Sequence, residues 1–300
     1  MALFFGCTAC AGASGATSDG GGGHLGPPDA ARPIDAAHAD AAIDAQPPPP
    51  PPWPDAAPPD AQVCSTDTSA AQVEMVAVPA GAYMMGCNSA IDSTCSGDEN
   101  PYHQVTLSAF SIDKTEVTQR AYKACVDACA CMYPAELFDP ANKPNYPVVG
   151  VTWMQARAFC QWLGKRLPTE AEWEKAARGT DGRIYPWGNQ APTCTLANYF
   201  TCPALGQIEP VGSHSPQGDS PYGAQDMAGN AFELVADHYD PNYYAQSPSM
   251  DPQGTPDPAY ANVVWRGGSA GHYPSYLRAS ARYASNPIIY WTALGFRCAR

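Results

Sequence analysis

A chain of 300 residues with 29 acidic against 16 basic side chains carries a formal net charge of −13. That balance, with no cluster of Lys and Arg, excludes the electrostatic footprint of a nucleic-acid-binding protein. No apolar run approaches the roughly 18 residues that a membrane-spanning helix needs.

In chain order, "MALFFGCTAC" is a short apolar run that meets Gly6 and Cys7. It resembles the end of a bacterial lipoprotein signal, in which the cysteine after the apolar stretch is lipidated, although no basic segment precedes it. Residues 1–10 are therefore expected to be a partial signal and anchor, with Cys7 lipidated and the membrane as a partner. A secreted, soluble chain is the alternative. Residues 11–71 read as a disordered tether. Up to residue 62 they are almost entirely Ala, Gly, Pro, Asp, Ser and Gln, with too little apolar surface to offset the entropy of ordering them. The run Pro47–Pro52 favours a stiff polyproline II rod.

From residue 72 to 300 the composition is that of one globular domain. "EMVAVPAGAYMMG" predicts a strand broken at Pro79 and a second strand after a glycine turn. "HQVTLSAFSID" alternates Val105, Leu107 and Ala109 with polar residues, the period of a half-buried strand. Three helices follow. Thr118 caps the first. Thr152 and Gln155 form a capping box for the second, which Gly164 stops. Thr169 and Glu172 box the third, with acids in its first turn, Lys175 and Arg178 in its last and Gly179 beyond. After Gly179 the periodicity fades, with strand fragments expected at "NVVWRGG", "YLRASARY" and "LGFRCAR". Trp153, Trp162 and Trp173 fall on helices and read as core. No Ser-His-Asp spacing stands out.

Beyond Cys7 and Cys10 there are ten cysteines. Cys87 with Cys95 and Cys194 with Cys202 sit at short loop spacings, and Cys125, Cys129 and Cys131 cluster. None has the paired C-x-x-C spacing of a zinc ribbon. In an oxidising compartment they read as disulfides, each worth ~2–4 kcal/mol. Buried free thiols are the alternative. The pairing of Cys64, Cys125, Cys129 and Cys131 stays open.

Seven segments in order resemble the formylglycine-generating enzyme, or sulfatase-modifying factor, family. They are "MVAVPAGAYMMG", "DENPYHQVTLSAFSIDKTEVTQRAY", "YPVVGVTWMQARAFCQWLGKRLPTEAEWEKAARG", "YPWGN", "DSPYGAQDMAGNAFELVADHY", "RGGS" and "GFRCAR". The resemblance implies a single compact α+β domain related to the C-type-lectin fold and low in regular structure. It also implies a Cys160–Cys298 disulfide, whose long loop would give it ~4–5 kcal/mol in the chain-entropy account.

Oxidases of this family are expected to bind copper(I) through two cysteines, three and eight residues after the serine of Gly-Gly-Ser. Soft thiolates suit that ion. Counted from Ser269, those positions hold His272 and Leu277, so copper is not expected here. The family's sulfoxide synthases draw their iron site from a separate His-rich helical domain, which residues 1–72 do not provide. "DMAGNAFE" resembles a family calcium loop, implying the side chains of Asp226 and Glu233 and the carbonyls of Gly229 and Ala231 as ligands of a structural ion. The competing reading has Asp226 capping a turn and Glu233 in a salt bridge. A second calcium site at Asn198 lacks its acidic stretch.

Ser269, His272, Tyr273, Tyr276, Arg278, Arg282, Tyr290 and Trp291 form the expected pocket, with aromatic faces and two guanidinium forks for a peptide, protein or glycan ligand. Arg266, Arg297 and Lys165 read as structural. The leading expectation is an exported, calcium-stabilised binding member without copper chemistry. A formylglycine generator acting on a sulfatase cysteine, or a divergent oxidoreductase using His272, is the alternative.

Overall fold

A computed structural model describes residues 64–203, 206–255 and 262–300, all within one compact unit that spans Asp60–Arg300. The anchor with Cys7, and the tether up to residue 63, lie outside the described residues. The last eight residues assigned to the tether, 64–71, belong to the domain. Cys64 is bonded to Cys129, and Ala71 is fully buried against the first helix.

Four short strands open the domain: β1 (Met75–Val78), β2 (Gly81–Met85), β3 (His103–Leu107) and β4 (Phe110–Asp113). They pair antiparallel as β1 with β4 and β2 with β3, where Tyr83 faces Val105 and Gly81 faces Leu107. The helices are α1 (Gln119–Asp127), α2 (Trp153–Trp162) and α3 (Glu170–Arg178). Each starts where its threonine directs: Thr118, Thr152 and Thr169 accept from the N–H groups of Ala121, Gln155 and Glu172. Each bond satisfies an amide that the first turn would otherwise leave unpaired.

A four-stranded sheet completes the fold in the order β7 (Tyr283–Ser285), β6 (Val263–Arg266), β5 (Phe232–His238), β8 (Leu294–Phe296), with β5 and β8 parallel. β5 separates two cores. Phe232 and Leu234 pack with α1 and α2, and Val235 packs with α3 and the opening strands. β5 is buried on both faces yet holds Glu233, Asp237 and His238, so it shows neither strict alternation nor a continuous apolar run and reads as loop in the sequence. The expected strand at "YLRASARY" is corrected. Pro274–Leu277 is a 3-10 turn, and regular pairing begins only at Tyr283.

All nine residues of α3 are buried. Its charges do not face solvent. Glu170 and Glu174 both reach Arg266, Glu174 also pairs with Arg178, and Lys175 Nζ donates to the carbonyls of Pro79 and Gly81. A charged helix in the interior survives because its ions are paired and hydrogen-bonded.

Among the described residues no helix is long and apolar enough to cross a membrane. Five disulfides, Cys64–Cys129, Cys87–Cys95, Cys125–Cys131, Cys160–Cys298 and Cys194–Cys202, fit an exported protein.

Candidate functional site

The site is built on the end of β6. Arg266 is followed by Gly267 and Gly268, with φ of 92° and 76°, a region that favours glycine. A Cβ at Gly268 would lie 2.9 Å from the Tyr276 carbonyl oxygen and 3.0 Å from Leu277 Cδ1. The glycine therefore lets the 3-10 turn fold back over the strand end.

That fold-back carries the predicted residues to different places. Ser269 is buried, and its Oγ and His272 Nδ1 share a 2.7 Å hydrogen bond. Burial holds the imidazole below its ordinary pKa, which favours its neutral form. Leu277 is fully buried and packs with Ala197, Tyr199, Cys202 and Ala228, filling a small core instead of facing the cleft. All ten cysteines among the described residues are in disulfides. The one trio of close metal-capable side chains among these residues is Cys87, Asp92 and Cys95, and both of its sulfurs are bonded to each other.

Arg278 and Arg282 are corrected as pocket residues. Arg278 donates to both oxygens of Glu99 at 2.7 and 2.6 Å and to Asp92 at 3.1 Å. Arg282 grips Glu170 and lies over the Tyr244 ring at 4.2 Å. Both guanidinium forks are spent inside the protein.

What remains is a ladder of rings. Phe200 meets Tyr273 at 5.1 Å, and the Phe200 N–H donates to the His272 carbonyl. His272 lies 4.7 Å from Phe232 and 4.8 Å from Tyr276. Tyr276 stacks on Tyr283, Tyr283 stacks on Trp265, each at 4.9 Å, and Trp265 meets Trp291 edge-on at 5.1 Å. Trp265 and Tyr283 are direct cross-strand partners on β6 and β7, which fixes the middle of the ladder to the sheet. Tyr273, Tyr290 and Trp291 are exposed, with Phe200, Ile288 and Ile289. Sequence reasoning found His272, Tyr273, Tyr276 and Trp291 and missed Phe200, Phe232, Trp265 and Tyr283. Trp265 and Tyr283 could have been found only from the strand register.

The proposed calcium loop also differs from expectation. Asp226 Oδ2 accepts the Gly212 N–H at 2.5 Å, Gly229 donates its N–H to Gly267, and Ala231 is buried just before β5. Glu233, expected as a ligand side chain, is engaged within the protein. Its two oxygens take Arg297 at 2.6 Å each, and Oε2 takes the Trp173 indole at 2.8 Å. The acid that faces Asp226 is one the sequence did not flag, Glu116. Asn230 Nδ2 donates to its Oε1 at 3.0 Å, whereas buried Oε2 meets no N–H or hydroxyl donor and the carboxyl lies against that of Asp226. Burial, and then the charge of Asp226, push Glu116 well above the usual carboxylate range, and burial raises Asp226. Asn198 Oδ1 is a further buried acceptor without a partner. Unpartnered buried oxygens from these neighbouring groups are the donor set a hard cation takes.

A model of the "Sulfatase-modifying factor enzyme 1-like domain" matches residues 60–300. A formylglycine-generating enzyme of Streptomyces coelicolor is 34% identical over 285 residues, covering 75% of this chain and 88% of that protein. An inactive C-alpha-formylglycine-generating enzyme 2 of Bos taurus is 31% identical over 281 residues, covering 76% and 88%. Among solved structures, PvdO from Pseudomonas aeruginosa superposes with a TM-score of 0.66 at 27% identity, covering 76% of this chain and 94% of that one.

Proposed function

The chain belongs to the sulfatase-modifying factor enzyme family, and we propose that it is a binding member that holds an extended peptide segment in the aromatic cleft without oxidising it. One observation carries this reading. Every described cysteine is in a disulfide, and the position where a second copper thiolate would stand is the buried Leu277. The exposed rings at the two ends of the ladder, Phe200 and Tyr273 at one and Trp291 at the other, suit an apolar or aromatic peptide better than an acidic ligand. β7 is the edge strand beside it, and edge strands accept extended peptides by strand addition. The relative named inactive in Bos taurus is a precedent for a family member without the chemistry.

The second reading, a formylglycine-generating oxidase or another oxidoreductase using His272, is favoured by the likeness to the Streptomyces enzyme. A structural calcium ion is part of the first reading. Asp226, Glu116 and Asn198 would hold it with the Gly229 and Ala231 carbonyls, while Glu233 stays with Arg297. The tether would carry the domain away from a lipid-modified Cys7 in the cell envelope. The test is a fluorescence titration with an array of extended peptides. Saturable binding that Trp291→Ala and Tyr276→Ala each weaken supports the reading, and no binding by any aromatic peptide contradicts it.

A further inference from the structure

A second concave site lies between α2, the Arg166–Thr169 connection and the end of β5, with a volume of about 440 Å³. That falls within the about 300–1,000 Å³ typical of ligand cavities. It shares no residue with the aromatic ladder.

Its charge is unusual for this protein. The domain is acidic, yet among the described residues no Asp or Glu lines the cavity and two arginines do. Arg166 is already neutralised, gripping Glu172 with both terminal nitrogens at 2.5 and 2.6 Å. Arg157 is not. It sits over the Trp153 ring at 5.4 Å, and no carboxylate or carbonyl among the described residues accepts from it. Trp153 is itself locked, because its indole N–H donates to the Val235 carbonyl at 2.7 Å. Arg157 is exposed, so its guanidinium rests on a fixed platform with its hydrogen-bonding edge turned to solvent and open to a ligand. Around it stand the Gln161 amide, the Gln253 amide, whose Nε2 donates to the Asp251 carbonyl and whose oxygen can accept, the Thr255 hydroxyl, which donates to the His238 carbonyl at 3.4 Å and can still accept, and the His238 ring, with Leu167 and Ala236 as an apolar wall.

We infer that this cavity binds a small hydroxyl-rich carboxylate of the sugar-acid class, with Arg157 pairing the carboxylate. One unspent guanidinium fits one carboxylate two-pronged. Two amides and a hydroxyl fit a ring carrying several hydroxyls, and the apolar wall fits its C–H face. A neutral sugar would leave Arg157 unmatched.

The test is calorimetric titration of the full chain with D-glucuronate, D-glucose and inorganic sulfate. Glucuronate is expected to bind saturably, and glucose about tenfold more weakly or not at all. Arg157→Gln is expected to weaken glucuronate about tenfold while its melting profile stays that of the parent. Gln161→Ala, which keeps the charge, is expected to cost about fivefold. The inference is overturned if glucuronate does not bind, if sulfate binds and glucuronate does not, or if both substitutions leave glucuronate affinity unchanged.

Discussion

Arg282 grips Glu170 across 112 residues of sequence, Nε to Oε1 at 2.7 Å and Nη2 to Oε2 at 2.9 Å. The same carboxylate takes Arg266, which is fully buried. Removing it leaves Arg282 without a carboxylate and Arg266 with Glu174 as its remaining one. Glu170→Ala should destabilise the domain by about 3–5 kcal/mol, the usual penalty for breaking a buried ion pair from one side. Urea unfolding measures this, and a loss near zero would show that the network is not formed.

Asp237 lies against Glu170 and donates nothing to it. Instead its Oδ2 accepts the Glu170 N–H at 2.7 Å. Burial, and then the charge of Glu170, push its carboxyl up to about 8. In the unfolded chain that carboxyl ionises near the ordinary aspartate value of 3.8. The folded state thus holds the extra proton between those values, and stability from this group falls as pH rises from about 4 through about 8. Asp237→Asn keeps an acceptor and removes the titration. Its unfolding midpoint should drop less than the parent's between pH 5 and pH 8.5, and parallel profiles would refute the assignment.

The Cys160–Cys298 disulfide spans 138 residues and joins α2 to the segment after β8. Replacing both cysteines by serine should cost about 4–5 kcal/mol on the chain-entropy account. The Cys194–Cys202 bridge spans only 8 residues and should cost less when removed in the same way. Denaturation without reductant gives the order, and an inverted order would contradict the account.

Glu116 separates a cation site from a bare acid pair. With calcium present, Glu116→Gln and Asp226→Asn should each lower the melting temperature and abolish its sensitivity to a chelator. Without a cation, chelator should do nothing to the parent, and Glu116→Gln should be neutral or stabilising because it removes a buried acid facing another. Thermal melts with and without chelator read the difference.

The sequence made some of this legible and concealed the rest for physical reasons. Thr118, Thr152 and Thr169 announce their helices because capping is local chemistry, complete within four residues. β5 was hidden because one of its buried faces carries Glu233 and Asp237 beside Val235, and the groups that make those acids tolerable inside, Arg297 and the Glu170 N–H, are remote in sequence. The fate of Arg278 and Arg282 was hidden because their acids, Glu99 and Glu170, lie 179 and 112 residues away. His272 and Leu277 were legible as the positions where thiols are missing. That Leu277 turns inward was not, since it depends on Gly268 making room for the turn above it.

The most direct measurement of the central claim is a copper(I) titration of the folded protein against a competing chelator, with Cys7 and Cys10 replaced by serine and the disulfides intact. The account predicts that the chelator keeps the metal throughout. A tight one-to-one complex with two sulfur ligands, seen by X-ray absorption, would contradict it.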